Sequence, residues 1–364
     1  MIGLNLAMFL LVVAILQPAT GSAKQHAGAP LMQAATGSGS AEQRATGLAT
    51  QPATRPAEQM LPRGAPIPKV VIVVAPDGSG DVQTLQQAID RVPENNLTPH
   101  VIELRPGIYR GQTRLPKTKP LVTIRGSDAN TTIITNDFKA STPGPDGEPM
   151  GTSRSATFFV DANDCTFENL SFENTAGDTG QALALNVRGD RVRFLNCRMI
   201  GWQDTLMANR GRQYYRNCHI EGRVDFIFGA ATAVFENCVI HSKNGGYVTA
   251  ASTAPEQPFG FVFIECKLTG EGAPAYLGRP WRPHGSVTFI SCEMGGHVRP
   301  EGWHNWGKVE NEQTARFAEY RSRGPGANPA ARVGWSRELS DEEAAKITVK
   351  AVLSGDDNWD PTAK

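Results

Sequence analysis

The chain has 364 residues, with 36 basic and 36 acidic side chains that leave a formal net charge of zero. Balanced charge without a basic stripe argues against nucleic acid as a partner. The six cysteines include no C-x-x-C pair and the seven histidines are scattered, so we expect no zinc site, no other metal and no cofactor.

The N-terminus has the pattern of a cleaved secretory signal in residues 1–23. An apolar run from Leu4 to Leu16 is short for a membrane span, and the small residues Gly21-Ser22-Ala23 follow it. The same pattern leaves open an uncleaved N-terminal anchor. Cleavage would give a secreted or periplasmic protein that has no membrane attachment.

Residues 24–66 are rich in Ala, Gly, Thr, Gln and Pro and contain few large apolar residues. Such a segment cannot bury enough surface to offset its ordering entropy, so we interpret it as a disordered low-complexity linker. The remaining residues, 67–364, are expected to form one folded domain.

The folded region begins with a strand and an amphipathic helix. The run 70–74 is apolar, and Val82, Leu85, Ile89 and Val92 then recur at helical spacing before Pro93. A single helix between an early strand and a long β region is typical of a solenoid's end cap.

A short β pattern then recurs six times. The segments are FENLSF (167–172), FLNCRM (194–199), YRNCHI (215–220), FENCVI (235–240), FIECKL (263–268) and FISCEM (289–294). Recurrence every 20–30 residues indicates a solenoid. We therefore predict an all-β fold, a single-stranded right-handed parallel β-helix with an N-terminal capping helix and loop inserts on one face. The alternative, a propeller, would need longer and more regular blades.

The fourth position of each segment is predicted to face the core. The positions are Leu170, Cys197, Cys218, Cys238, Cys266 and Cys292. Cysteine fits there as a small buried hydrophobe. Cys218 and Cys238 lie one coil apart in an exported protein, so the sequence allows either a disulfide or two stacked thiols.

Two acidic residues share one place in this repeat. Asp204 and Asp225 are 21 residues apart, and each follows a cysteine of the column by seven residues. If the repeats stack as parallel strands, the two carboxylates lie about one strand spacing apart, roughly 5 Å. Like charges so close cannot both ionise cheaply, so one of the two pKa values is expected to rise.

Four motifs near these residues resemble those of pectin methylesterases, the carbohydrate esterases that demethylate homogalacturonan. They are QALAL (181–185), GWQDTL (201–206), DFIFG (225–229) and LGRPW (277–281). The resemblance covers nearly all of 67–364 and includes TSRSATFFV (152–160), RQYYRNC (212–218), EGW (301–303) with Trp306, and RVGW (332–335). It implies a bacterial, secreted member of this family, active as a monomer on methylesterified pectin.

The resemblance also implies roles for particular residues. Asp225 would be the nucleophile that attacks the C6 carbonyl of a methylated galacturonate, and Asp204 would be the general acid and then the base. Arg279 would orient Asp225, and the amides of Gln181 and Gln203 would serve the oxyanion.

Three aromatic residues are expected to contact the substrate: Trp281, Trp202 and Phe228. Two positions depart from the family pattern: Gly111 stands where relatives have Glu, and Ala230 where many have Asn.

Other functions remain compatible with the same pattern. The site could act on another ester or a thioester. Two carboxylates about 5 Å apart would also suit a retaining glycosidase, and β-helices host pectate lyases and polygalacturonases. A polysaccharide-binding solenoid without activity is the remaining alternative. The fold alone does not distinguish among them.

Overall fold

The structure is a computed structural model, and it describes residues 70–363. The predicted signal peptide (1–23) and linker (24–66) lie outside the described residues. Within 70–363, no helix is both long enough and apolar enough to cross a membrane.

The described chain is built from 24 short strands and three short helices. In chain order they are β1 (Val70–Val74), α1 (Leu85–Arg91), β2 (His100–Leu104), β3 (Gly107–Arg110), β4 (Thr113–Leu115), β5 (Val122–Gly126), β6 (Thr132–Asn136), β7 (Phe158–Val160), β8 (Thr166–Glu168), β9 (Ser171–Asn174), β10 (Leu185–Val187), β11 (Val192–Leu195), β12 (Arg198–Ile200), β13 (Leu206–Ala208), β14 (Arg212–Arg216), β15 (His219–Gly229), β16 (Thr232–Glu236), β17 (Val239–Ala251), β18 (Phe261–Ile264), β19 (Lys267–Glu271), β20 (Ala275–Pro280), β21 (Ser286–Ile290), β22 (Glu293–Met294), β23 (Arg316–Tyr320), β24 (Arg337–Glu338), α2 (Asp341–Ala344) and α3 (Val349–Leu353). Three 3₁₀ turns cover Thr152–Arg154, Val309–Gln313 and Pro329–Ala331.

These strands form the three faces of a right-handed parallel β-helix, as predicted. The first face is an 11-stranded sheet in the order β1-β2-β5-β8-β11-β14-β16-β18-β21-β23-β24. The second face contains β3, β6, β9, β12, β19 and β22, and the third contains β4, β7, β10, β13 and β20. β15 and β17 are long enough to run through both, so the second and third faces join into one 13-stranded sheet.

The N-terminal end is covered by α1, as the sequence predicts. Thr84 and Gln87 form a capping box at its start, and Leu85, Ala88 and Ile89 are buried. The helix begins later than the apolar pattern suggested, because Val82 pairs with Val74 in a β-bridge instead. The resulting cap packs on β1, β2 and β4.

Each of the six repeated segments bends at its third residue, which the predicted straight alternation missed. These residues have left-handed backbone conformations, with φ between 52° and 56°, at Asn169, Asn196, Asn217, Asn237, Glu265 and Ser291. Asparagine tolerates this region better than most residues. The Nδ2 of Asn196 donates to Oδ1 of Asn169, and that of Asn217 to Oδ1 of Asn196, both at 3.2 Å. The third residue, which is Asn in four of the six segments, therefore turns the chain from the first face to the second.

The first and fourth positions of the segments form two ladders through the core. Consecutive aromatic rings at the first position stack with centroids between 4.5 and 4.9 Å apart, from Phe167 to Phe289. The predicted inward column is buried, with exposures of 2% or less. All six cysteines are free, so Cys218 and Cys238 are stacked thiols.

The two longest connecting segments of the solenoid lie beside the third face. The segment 137–157 connects β6 of the second face to β7 of the third. The segment 295–315 connects β22 of the second face to β23 of the first, and on the way Val298 and Trp303 pair with β20. They form walls beside the outer surface of the third face, which positions the site described next.

Candidate active site

The outward-facing residues of the third face align across four coils. Met207, Phe228, Ala250 and Arg279 are successive register partners on β13, β15, β17 and β20. Because side chains alternate along a strand, their neighbours face the core. The row forms the floor of a cleft of about 520 Å³, lined by Thr152, Ser153, Gln181, Gln203, Asp204, Met207, Asp225, Phe228, Ala250, Arg279, Trp281 and Trp306.

The two predicted aspartates lie on adjacent coils, as their spacing indicated. Leu206 pairs with Ile227, a 21-residue register, and the Asp204 amide donates to the carbonyl of Val224 at 3.0 Å. Asp204 is 7% exposed and Asp225 6%. Both have left-handed backbones, φ 65° and 52°, where the chain turns from the second face to the third. Functional sites often store such strain, and here it coincides with two carboxylates that line one cleft.

Asp225 is fixed by a bidentate ion pair. Nε of Arg279 donates to Oδ1 at 2.9 Å, and Nη2 donates to Oδ2 at 2.7 Å. The side chains are only 18% and 9% exposed, so water screens the pair weakly. A planar fork that bonds both oxygens fixes the plane of the carboxylate, which a lysine ammonium cannot do.

The two carboxyl groups have different electrostatic surroundings. Burial raises the pKa of Asp204 to about 8, the negative charge of Asp225 adds to the rise, and the more distant Arg279 charge opposes it. Burial also raises the pKa of Asp225, but there the hydrogen bonds and charge of Arg279 act directly against it. Asp204 therefore keeps its proton near neutral pH, while the anion of Asp225 is the one that Arg279 stabilises against the effect of burial. One buried acid and one paired carboxylate can divide acid and nucleophile chemistry between them.

Two amide side chains stand at the cleft beside this pair. Gln181 and Gln203 occupy adjacent coils and form a β-bridge. Their main-chain carbonyls accept hydrogen bonds from Ala140 at 2.8 Å and Ala182 at 3.1 Å, which fixes the backbone that carries the amides. The side-chain amides of Gln181 and Gln203 therefore provide uncharged N–H donors in the lining of the cleft that also contains Asp204.

Of the three aromatic residues expected to contact substrate, the structure brings two into the cleft. Phe228 and Trp281 line it and meet edge to face, with centroids 5.7 Å apart. Trp202 is not among the lining residues; its ring faces Nζ of Lys243 at 4.7 Å. A substrate contact by Trp202 stays a prediction without support from this cleft.

Known proteins resemble this chain in sequence and in fold. The pectinesterase family profile matches residues 71–356. The chain belongs to the pectinesterase family. Pectinesterase 31 from Arabidopsis thaliana is 44% identical over 282 residues, which are 75% of this chain and 89% of that protein. Pectin methylesterase from carrot has a TM-score of 0.74 and 32% identity, covering 78% of this chain and 93% of the carrot chain. Pectin methylesterase PemA from Erwinia chrysanthemi has a TM-score of 0.69 and 29% identity, covering 81% and 98%.

As a pectinesterase the chain is a carboxylic ester hydrolase, and its site contains residues that sequence reasoning missed. Trp306 was noted only as part of a family motif, yet it lines the cleft and its ring lies 3.7 Å from Cζ of Arg279. Tyr247 belongs to none of the motifs noted in the sequence. Its ring contacts Arg279 because β17 pairs with β20 in a register that brings the two residues together. Thr152 and Ser153 were likewise noted only as part of the motif at 152–160, and the remaining additions to the cleft are Met207 and Ala250.

The two departures from the pectinesterase pattern lie away from the cleft lining. Gly111 has φ 111°, a conformation that side chains rarely adopt, so its glycine suits the local backbone. Ala230 follows β15, where its amide donates to the carbonyl of Asn209 at 3.1 Å. Neither change alters a residue that lines the site.

Proposed function

We propose that the chain hydrolyses the C6 methyl ester of galacturonate units in pectin, releasing methanol and leaving carboxylates. The observation that carries the proposal is the buried pair on adjacent coils, Asp204 with a raised pKa and Asp225 held by Arg279. Similar solved structures give further support, among them a pectin methylesterase in complex with hexasaccharide VII, 30% identical with a TM-score of 0.69 and covering 80% of this chain and 98% of that one.

The first half of the reaction forms an acyl-enzyme. A carboxylate oxygen of Asp225 attacks the ester carbonyl carbon, and the carbonyl oxygen becomes an oxyanion that the amides of Gln181 and Gln203 stabilise. When the tetrahedral intermediate collapses, the bond to the methoxy oxygen breaks and Asp204 donates its proton to that oxygen. Methanol leaves, and the galacturonyl group remains joined to Asp225 as an anhydride.

The second half returns the enzyme to its starting state. Asp204, now ionised, takes a proton from water, and the resulting hydroxide attacks the anhydride carbonyl. The bond to Asp225 breaks, so Asp225 is again a carboxylate held by Arg279 and Asp204 is again protonated. The net change is one ester and one water converted to one carboxylic acid, which ionises in solution, and one methanol. Phe228 and Trp281 are proposed to pack against the sugar rings.

The decisive experiment measures methanol and polymer length together with highly methylated pectin as substrate. We expect methanol release without chain shortening and without unsaturated product. Shortened chains would indicate a glycosidase, and unsaturated ends would indicate a lyase. A bound polysaccharide without products would indicate a binding solenoid, and cleavage of only unrelated esters or thioesters would contradict the substrate assignment.

The raised pKa of Asp204 predicts an alkaline limit to activity. The first step needs Asp204 protonated, so kcat/KM should fall as pH rises through about 8. The two carboxyls interact, so the measured limits belong to the pair. Initial rates from pH 5 to 10, with circular dichroism at each pH to verify folding, test this. An undiminished rate at pH 10 in folded protein would contradict the role of Asp204 as acid.

Export is also proposed, with residues 1–23 as a signal peptide and 24–66 as a linker before the catalytic domain of 67–364. The support is the apolar run 4–16 and the small residues after it. A bacterial origin stays a prediction, because Pectinesterase 31, at 44% identity, comes from the plant Arabidopsis thaliana.

A further inference from the structure

The Arg279 side chain reaches Asp225 across an intervening coil. Arg279 lies on β20 and Asp225 on β15, and β17 runs between them. The register partner of Arg279 on β17 is Ala250, whose small side chain leaves room for the longer one to cross. A long side chain has many rotamers, so a fixed bidentate geometry at its far end needs lateral support.

Two aromatic rings supply that support. Cζ of Arg279 lies 3.8 Å from the ring centroid of Tyr247 and 3.7 Å from that of Trp306. A planar guanidinium offers two stacking faces, and two rings this close cannot share one face. Tyr247 and Trp306 therefore cover opposite faces of the group, and its edge remains directed at Asp225.

We propose that Tyr247 is a positioning residue for the ester hydrolysis, holding the Arg279 guanidinium in the plane in which it bonds both oxygens of Asp225. This inference rests on the proposed function, because Tyr247 acts through the Arg279–Asp225 pair. Trp306 also lines the cleft, so its replacement would disturb substrate directly. Tyr247 is not a lining residue, and its link to the reaction runs through Arg279.

The ring of Tyr247 is itself held in place by two further rings. Tyr276, its register partner on β20, stacks on it with centroids 5.3 Å apart and planes 10° apart. His304 packs against it at an angle, with centroids 5.5 Å apart. Tyr247 is therefore a fixed surface against which the guanidinium can be aligned.

Displacing Arg279 would change the charge state of the nucleophile. The titratable groups that face Asp225 are Arg279 and Asp204. His304 lies near Arg279, and burial together with the positive charge of Arg279 lowers the pKa of His304. Arg279 is the group that lowers the pKa of Asp225 against the effect of burial. A loosened pair would raise the pKa of Asp225 further, so the acidic limit of activity would move to higher pH.

The test compares Tyr247→Leu with Tyr247→Phe and with Tyr276→Leu. We expect Tyr247→Leu to lower kcat by about tenfold or more while KM changes by less than about threefold, because the contact is to an orienting group and not to substrate. The acidic limit of its kcat/KM profile should move to higher pH. Tyr247→Phe keeps the ring face and should retain activity within about twofold. Tyr276→Leu removes a ring that supports Tyr247 but does not cover Arg279, so it should lower kcat in the same direction by less than Tyr247→Leu does, within about threefold.

The outcomes separate this inference from the proposed function. If the wild-type protein releases no methanol, the proposed function is wrong. If the wild-type protein releases methanol and Arg279→Lys is fully active, the orientation of the guanidinium plane does not matter and the inference about Tyr247 is wrong. If the wild-type protein is active and Arg279→Lys is impaired, but Tyr247→Leu matches Tyr276→Leu or changes KM alone, the inference about Tyr247 is wrong. Should the leucine variant fail to fold, Tyr247→Met, which also lacks a ring face, takes its place with the same criteria.

Discussion

Asp225→Asn is expected to abolish methanol release, whereas Asp204→Asn should leave a small residual rate. An amide at position 225 is a very poor nucleophile, and Arg279 would then face a group with no negative charge. Asp204→Asn keeps the nucleophile and removes the proton donor of the first step and the base of the second. Loss of general acid–base catalysis typically lowers a rate by about 10²–10⁴-fold.

The comparison requires matched, folded preparations of both variants. Each replacement is nearly isosteric and lies outside the ladders of the core, so the circular dichroism of both should resemble that of the wild type. Asp225→Asn also removes the counter-charge of the largely buried Arg279, so its thermal midpoint should be lower. More residual activity in Asp225→Asn than in Asp204→Asn would reverse the two roles. Wild-type rates in both would contradict the mechanism altogether.

Glu319→Ala is expected to lower the free energy of unfolding by about 3–5 kcal/mol, the range found when one partner of a buried ion pair is removed. Glu319 lies on β23 near the C-terminal end of the solenoid and pairs with Arg332 through two hydrogen bonds of 2.7 and 3.0 Å. Their side chains are 9% and 5% exposed. Removal of the carboxylate would leave a buried guanidinium without its counter-charge, although the carbonyls of Pro300 and Gly326 would still accept from it.

Glu103→Ala is the matched control for this measurement. Glu103 lies on β2 of the same face and pairs with Arg125, whose Nε donates to it at 3.1 Å, but the two side chains are 38% and 46% exposed. A solvent-exposed ion pair contributes about 0–1 kcal/mol to the free energy of unfolding. Chemical denaturation should therefore show little difference in that free energy between Glu103→Ala and the wild type. An equal loss of unfolding free energy in Glu319→Ala and Glu103→Ala would show that burial does not decide the strength of the Glu319 pair.

The features of the sequence that repeat were the ones that predicted the structure. The seven-residue offset from Cys197 and Cys218 placed Asp204 and Asp225 on adjacent coils, because a coil-to-coil register turns equal offsets into spatial neighbours. The cysteine column was predicted to face the core for the same reason, and it does.

The features that the sequence did not reveal depend on long-range register. Tyr247 is near Arg279 only because β17 and β20 pair with an offset of 29 residues, which is the length of the coil that contains β18 and β19. The left-handed Asn at the third segment position was recognisable as a repeated residue, but alternation alone does not distinguish a straight strand from one that bends. Residues contributed by the long connecting segments, such as Trp306, carry no period at all.

The main-chain register between β13 and β15 has a consequence for how such a site can change in evolution. Because the two carboxylates are one coil apart, their separation follows from backbone hydrogen bonds that almost any sequence can form. Mutations in the surrounding loops can therefore alter which polymer the cleft accepts while the spacing of the reactive groups stays constant. A duplicated coil inserted between the two aspartates would double their spacing in one step. The solenoid can therefore lengthen in evolution at either end, but not between these two coils.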